Sequence, residues 1–239
     1  MNEQDATDTS RQPREQFVIG KKIALLATLA MSLSSTALIA QVQSDETGER
    51  LVSSFVNDVI TLQGRFEQSL VDADGVVVER SSGTLEIERP GRFHWAYDEP
   101  YEQQLVADGL NIWSYDVDLA QVTVKPQEKA LANTPALLLG GTRDALSQFE
   151  FDGSMVENGT TWVRMIPVDT SSGFERMELG FHDGQLSRMV FFDNLDQRTL
   201  VALYDVTTNE PIDASRFEFL VPDDADLVGV PAIAKETGP

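Results

Sequence analysis

Side chains able to do covalent or metal chemistry are scarce in this chain of 239 residues. It has two histidines, His94 and His182, and no cysteine. A zinc site draws its ligands from closely grouped His and Cys, and two distant histidines do not make one. The sequence contains no Gly-x-Ser-x-Gly elbow, no phosphate-binding glycine loop and no His-Glu-x-x-His pair. Asp116/Asp118 and Asp193/Asp196 have the spacing of carboxylate pairs for acid–base work. With 39 Asp and Glu in the chain, such pairs arise by abundance and read as solvated faces. No catalytic residue, no metal site and no cofactor is therefore expected. The informative run is Arg89-Pro90-Gly91-Arg92-Phe93-His94-Trp95-Ala96-Tyr97. It sets a guanidinium at the mouth of a strand on which Phe93, Trp95 and Tyr97 share one face, because strand side chains alternate sides. Such a face is either part of a filled core or the wall of an apolar cavity.

The segments that must position this strand follow from hydrophobic period. Leu51, Val52, Phe55, Val56, Val59 and Leu62 recur at helical spacing, with Ser44 or Asp45 as a cap and Gly64 beyond the end. This predicts an amphipathic helix of about four turns over residues 45–62. Alternation then takes over, with strand faces at Phe66/Leu70, Leu85/Ile87, Phe93/Trp95/Tyr97, Leu110/Ile112 and 119–124. A second run places strands at 162–166, 174–181, 186–192, 200–206 and 217–221. Turn chemistry such as Asp72-Ala73-Asp74-Gly75, Asp108-Gly109 and Asn209-Glu210-Pro211 separates them. Ten or eleven short strands with short turns give an antiparallel meander, as a curved sheet or a partly closed barrel.

Between the two runs, Thr134 suits an N-cap, Pro135 a first helical position and Gly140 a C-terminal cap around the apolar Ala136-Leu137-Leu138-Leu139. A further short helix is predicted over residues 144–149. Helices this short must lie on something. A curved sheet whose concave apolar face is covered by the long helix and these two turns satisfies every segment.

Arg11, Arg14, Lys21 and Lys22 precede an uncharged apolar run from Ile23 to Ala40, the layout of a secretory signal peptide with an extended n-region. A membrane anchor is the other reading, weakened by five Ser or Thr within the run. Residues 1–40 are thus expected to be cleaved, leaving 41–239 as a single domain with 222–239 as an extended C-terminal tail. An exported chain without cysteine suits a bacterial periplasm and lacks the residue a lipid anchor needs. The net charge of −21 sits wholly in the mature part and repels nucleic acid and anionic bilayers. It serves either solubility or a carrier that touches a membrane partner without adhering to lipid.

Several ordered segments carry a family resemblance. They include Gly64-Arg65-Phe66-Glu67-Gln68, Gly83-Thr84-Leu85, the Arg89 to Trp95 run and Asp108-Gly109-Leu110-Asn111-Ile112-Trp113. Leu119-Ala120-Gln121-Val122-Thr123, Thr134-Pro135-Ala136-Leu137-Leu138-Leu139, Asp196-Gln197-Arg198-Thr199 and Phe217-Glu218-Phe219 continue the series. The chain resembles the LolA family of periplasmic outer-membrane lipoprotein carriers over residues 51–228. It departs in its long N-terminal extension and in Asp223-Asp224-Ala225, where the family more often has a glycine after its proline.

The resemblance implies a mainly β (α+β) fold, an unclosed antiparallel barrel of about eleven strands with a helical lid over a hydrophobic cavity. It implies a monomer that accepts acylated lipoproteins from an inner-membrane ATP-driven releasing complex and passes them to an outer-membrane receptor lipoprotein. Leu85, Ile87, Phe93, Trp95 and Tyr97 are then the expected cavity residues. Leu51, Phe55, Val59, Pro135, Leu137, Leu138 and Leu139 form the lid, and Arg89 holds that lid shut when the cavity is empty. The alternative is a periplasmic lipid- or lipoprotein-sensing regulatory module of the same architecture.

Overall fold

Among the described residues, 45–58 form a helix, α1, and twelve strands follow it. The structure is a computed structural model that describes residues 45–131, 139–140, 143–169 and 173–233. Contacts divide the chain into Met1–Gln41 and Val42–Pro239, and every described residue belongs to the second unit. The helical spacing predicted α1 to run on to Leu62. The chain leaves the helix earlier because groups distant in sequence claim the next carbonyls. The Arg89 amide donates to Ile60 O at 2.8 Å, and Asn209 Nδ2 donates to Asp58 O at 3.1 Å. Leu62 and Gly64 are thereby drawn into the first strand, where Leu62 reaches the core.

The first run comprises β1 (Thr61–Val71), β2 (Val77–Glu88), β3 (Arg92–Glu99), β4 (Gln103–Asp108), β5 (Asn111–Asp116) and β6 (Gln121–Pro126). A short helix, α2 (Gln127–Leu131), and a 3-10 turn, Arg143–Gln148, lead into the second run. That run is β7 (Phe149–Glu157), β8 (Thr160–Pro167), β9 (Phe174–His182), β10 (Gln185–Asp193) and β11 (Arg198–Thr208). All twelve strands make one sheet in the order β12-β6-β5-β4-β3-β2-β1-β11-β10-β9-β8-β7, where β12 is Asp226–Val228. The order is linear, so the barrel is unclosed, as expected.

Four details differ from the sequence reading. Twelve strands replace about eleven: β4 and β7 carry mixed polar and apolar patterns that alternation alone does not mark, and the three-residue β12 lies in the segment expected to be a tail. The sheet is mixed, since β12 pairs with β6 in parallel. Residues 217–221 are not a strand. Phe217 ends a 3-10 turn, Ala214–Phe217, capped by Asp213, and its side chain is buried on the outer face of the sheet. The predicted helix at 144–149 is that 3-10 turn at Arg143–Gln148.

Register assigns the two faces. Phe66 lies opposite both Gly83 and Leu203, Leu85 opposite Trp95, Met189 opposite Val201 and Val163 opposite Leu179. These side chains point to the concave face and share one apolar cluster with Val52, Phe55 and Val56 of α1. The outer face of β3 to β6 presents Val106, Val122, Val124, Trp113 and Tyr115. Phe219 stacks on Trp113 at 5.5 Å between centroids. The segment after β11 therefore forms a second layer on the convex side.

Candidate functional site

All five residues expected to line the cavity lie on the concave face of β2 and β3. Ile87 is opposite Phe93 and Leu85 opposite Trp95 in the ladder. Leu85, Ile87 and Phe93 are buried, whereas Trp95 and Tyr97 are half-buried against the same cluster. Their rings meet Phe66 edge-on, with centroids 5.0 Å from Trp95 and 5.1 Å from Tyr97. Trp95 Nε1 is buried and has no acceptor among the described residues. A buried unmet donor costs about 1–3 kcal/mol.

Helix α1 closes over this face. Phe55 is buried and meets Phe181 edge-on at 6.3 Å, and Leu51 and Val59 pack on the edge of the cluster. The start of α1 is tied to the last strand of the sheet, where Asp45 Oδ1 accepts from the Ser154 amide at 2.9 Å. Close approach there depends on Gly48, because a Cβ at that position would lie 2.5 Å from the Ser154 Cβ. Leu139 joins the core, and a Cβ on the adjacent Gly140 would lie 2.8 Å from the Phe93 ring. The Gly91 amide donates to Gly140 O at 2.7 Å, which fixes this end of the second lid segment to the loop after Arg89. Pro135, Leu137 and Leu138 lie outside the described residues.

Arg89 is buried at the end of β2. Its Nη1 donates to the Val59 carbonyl at 2.7 Å, and its guanidinium sits 4.6 Å from the centroid of the Phe55 ring. The hold expected of it on the second lid segment, around Leu137 to Gly140, falls largely outside the described residues. The structure shows a clamp on the C-terminal end of α1, where helix carbonyls lack intrahelical donors. Burial lowers the Arg89 pKa to about 10, which leaves it charged at neutral pH. Asn209 is the contributor that sequence reasoning missed. Its Oδ1 accepts from the Ile60 amide at 2.8 Å while its Nδ2 holds Asp58 O. The signal was present as the Asn209-Glu210-Pro211 turn, and Asn209 has the left-handed φ of 61° that asparagine tolerates.

The described part of this face is lined by apolar and aromatic side chains. Residues 57–220 match the family described as outer membrane lipoprotein carrier protein LolA. The chain belongs to the LolA family. An outer-membrane lipoprotein carrier protein of Methylobacillus flagellatus is 34% identical over 201 residues, covering 84% of this chain and 98% of the relative. One from Halorhodospira halophila is 38% identical over 208 residues, covering 87% and 95% respectively. A third, from Nitrosomonas europaea, is 38% identical over 178 residues, 74% of this chain and 86% of the relative.

Proposed function

We propose that this LolA-family chain carries outer-membrane lipoproteins by seating their acyl chains on the concave face beneath α1. The family is one of carriers, not of enzymes. The observation that supports the seat is the apolar surface running from Phe93 and Trp95 through Phe66 and Leu203 to Met189, covered by α1 and touched by Leu139. Moving acyl chains through water is the physical task. At about 0.8 kcal/mol per methylene, three chains of about sixteen carbons carry roughly 38 kcal/mol of exposure. Burial on the concave face offsets most of it, and the aromatic rings supply area with few rotamers to freeze.

Release must stay possible, so the empty state needs stabilisation of its own. Val52, Phe55 and Val56 provide it by filling the seat, and Arg89 and Asn209 fix the hinge at residues 58–60. A hydrogen bond from a charged donor contributes about 1.5–3 kcal/mol, small beside the burial of one acyl chain. Ligand entry therefore displaces the helix, and the clamp helps it return. In this scheme residues 1–40 direct export and are removed, and the mature chain works in the periplasm. It loads from an inner-membrane ATP-driven releasing complex and unloads to an outer-membrane receptor lipoprotein. The test is recovery of the native protein from periplasm followed by mass spectrometry of bound material. Acylated protein or lipid is expected. A protein that is recovered bare and also fails to take up a fluorescent fatty acid would sink the reading.

A further inference from the structure

The strands that carry the aromatic floor end, on the side away from Arg89, in a second and different hollow. It has a volume of about 430 Å³ and opens on the same concave face. Gln68, Ser81 and Tyr97 reach it from the floor, where Gln68 is opposite Ser81 and Tyr97 opposite Gly83 in the ladder. Four carboxylates surround it: Glu79 at the start of β2, Glu99 at the end of β3, Asp116 at the end of β5, and Asp118 in the following turn. No Lys, Arg or His lines it, and none of the four carboxylates is in an ion pair among the described residues. Ser81 supplies an independent sign of a missing partner. It is only 8% exposed, it lines the hollow, and its Oγ has no hydrogen-bond partner among the described residues. Buried hydroxyls are normally satisfied, so this one is poised for a group that the hollow receives.

We infer that this hollow binds an ammonium group attached to an acyl-bearing ligand. The inference rests on the reading of the concave face as an acyl seat and adds a polar end to it. An ammonium offers three donors and one positive charge. The carboxylates match the charge, and Ser81 Oγ and the Tyr97 oxygen match the donors, beside Gln68 Oε1, which accepts from the Tyr97 hydroxyl at 3.3 Å. Burial, joined by the Glu79 charge, pushes the Tyr97 phenol up to about 12, so it stays neutral beside a cation instead of competing as a charged group. Arg89 lies eight residues further along, about 26 Å at the rise of a strand. One end of the floor therefore carries the Arg89 cation, and the other carries four carboxylates with no ion-pair partner among the described residues.

The ammonium could belong to a lipid head group or to a lysine in the peptide beside an acylated residue, and the test separates them. The full-length protein, purified as cells leave it, is titrated with dodecylammonium and with dodecanoate below their micellar concentrations at 0.15 M salt. Dodecylammonium is expected to bind about tenfold more tightly, the effect of one partly desolvated ion pair. In the double variant Glu79→Gln, Asp116→Asn the ratio should fall to near one with dodecanoate binding retained, which also shows that the variant is folded. The asparagine keeps the oxygen that accepts from the Leu119 amide at 3.0 Å. Asp183→Asn with Asp196→Asn, equal in charge but in remote turns, should leave the ratio intact.

Two further arms then name the source. Monoacyl phosphatidylethanolamine against monoacyl phosphatidylglycerol reads a lipid head, and an acylated pentapeptide with lysine against its glutamine counterpart reads a peptide. Preference for the amine in either arm supports the site. Equal binding of dodecylammonium and dodecanoate, or a preference that survives in the double variant, overturns the ammonium site and leaves the acyl seat standing. Failure of both probes to bind overturns the two together.

Discussion

At the scale of single residues, the gate proposed above gives Arg89 a testable part. Arg89 holds the Val59 carbonyl and covers the Phe55 ring, so it stabilises the arrangement in which α1 fills the seat. In the proposed scheme α1 moves when the seat is loaded, so these contacts act on the empty state. Removing it should therefore slow release and leave uptake intact. Arg89→Leu is expected to lower the off-rate of a bound fluorescent fatty acid by about tenfold, the equivalent of 1.4 kcal/mol, close to the lower bound for a charged hydrogen bond. Stopped-flow displacement measures this directly, and an unchanged off-rate would remove Arg89 from the gate. Lysine is not an adequate replacement, because a point charge cannot both donate to Val59 and lie flat on Phe55. Alternation, a local signal, placed Phe93, Trp95 and Tyr97 on one face, whereas the role expected of Arg89 came from the family resemblance. Neither revealed Asn209, whose importance comes from lying 149 residues from Ile60 yet bonding to its amide.

At the scale of elements, the convex layer is the part least legible in the sequence. Residues 217–221 read as a strand because Phe217 and Phe219 alternate. In the structure they dock on the sheet instead of pairing with it. Three contacts hold the layer at its centre. Phe217 is buried beneath Arg92, whose guanidinium is 5.5 Å from its ring centroid. Arg216 Nε and Nη2 both reach Glu86 Oε2, at 2.8 and 2.7 Å. His94 lies under this pair, with Nδ1 3.3 Å from the same Glu86 oxygen but poorly aligned for a hydrogen bond.

Burial lowers the His94 pKa below its usual 6.5 and the Arg216 charge lowers it further, with Glu86 and Gln104 opposing. The folded state thus binds its proton less readily than the unfolded state. Stability is full above pH 6.5 and is lost as pH falls from there toward the lower folded value. Urea midpoints measured from pH 7.5 to 5 should fall through this window, and His94→Gln should flatten that part of the curve. An unaltered slope in the variant would show that carboxylates govern it. Strand existence, by contrast, was mostly readable, because one buried face imposes alternation. The β4 and β7 strands escaped because neither has a clean apolar side.

At the scale of the whole molecule, the net charge of −21 acts on stability as well as on partners. Spread over a sphere the size of a 200-residue domain, 21 charges repel one another by roughly 40 kcal/mol in water before screening. The unfolded chain is larger and relieves most of that repulsion. Attractive pairs among the described residues are few and mostly exposed, formed by Arg92, Arg164, Arg176 and Arg216 together with the two histidines. Each exposed pair is worth about 0–1 kcal/mol, so screening them away takes back little.

Repulsion should win, and salt should stabilise the fold. Between 0.02 and 0.5 M KCl the Debye length shrinks from about 20 Å to about 4 Å, shorter than most separations between like charges on the surface. A gain of about 1–3 kcal/mol in the free energy of unfolding is expected over that range, read from urea titrations at pH 7.5 where His94 is neutral. Apolar docking of α1 should strengthen in parallel, because the same screening lets the acidic helix and sheet approach. The ammonium preference at the Glu79 and Asp116 hollow should weaken, since it is an attraction. Stability that is flat or falls with salt would mean that the acidic excess is already neutralised by local pairing. A rise in stability together with loss of dodecylammonium selectivity separates the global field from the local site.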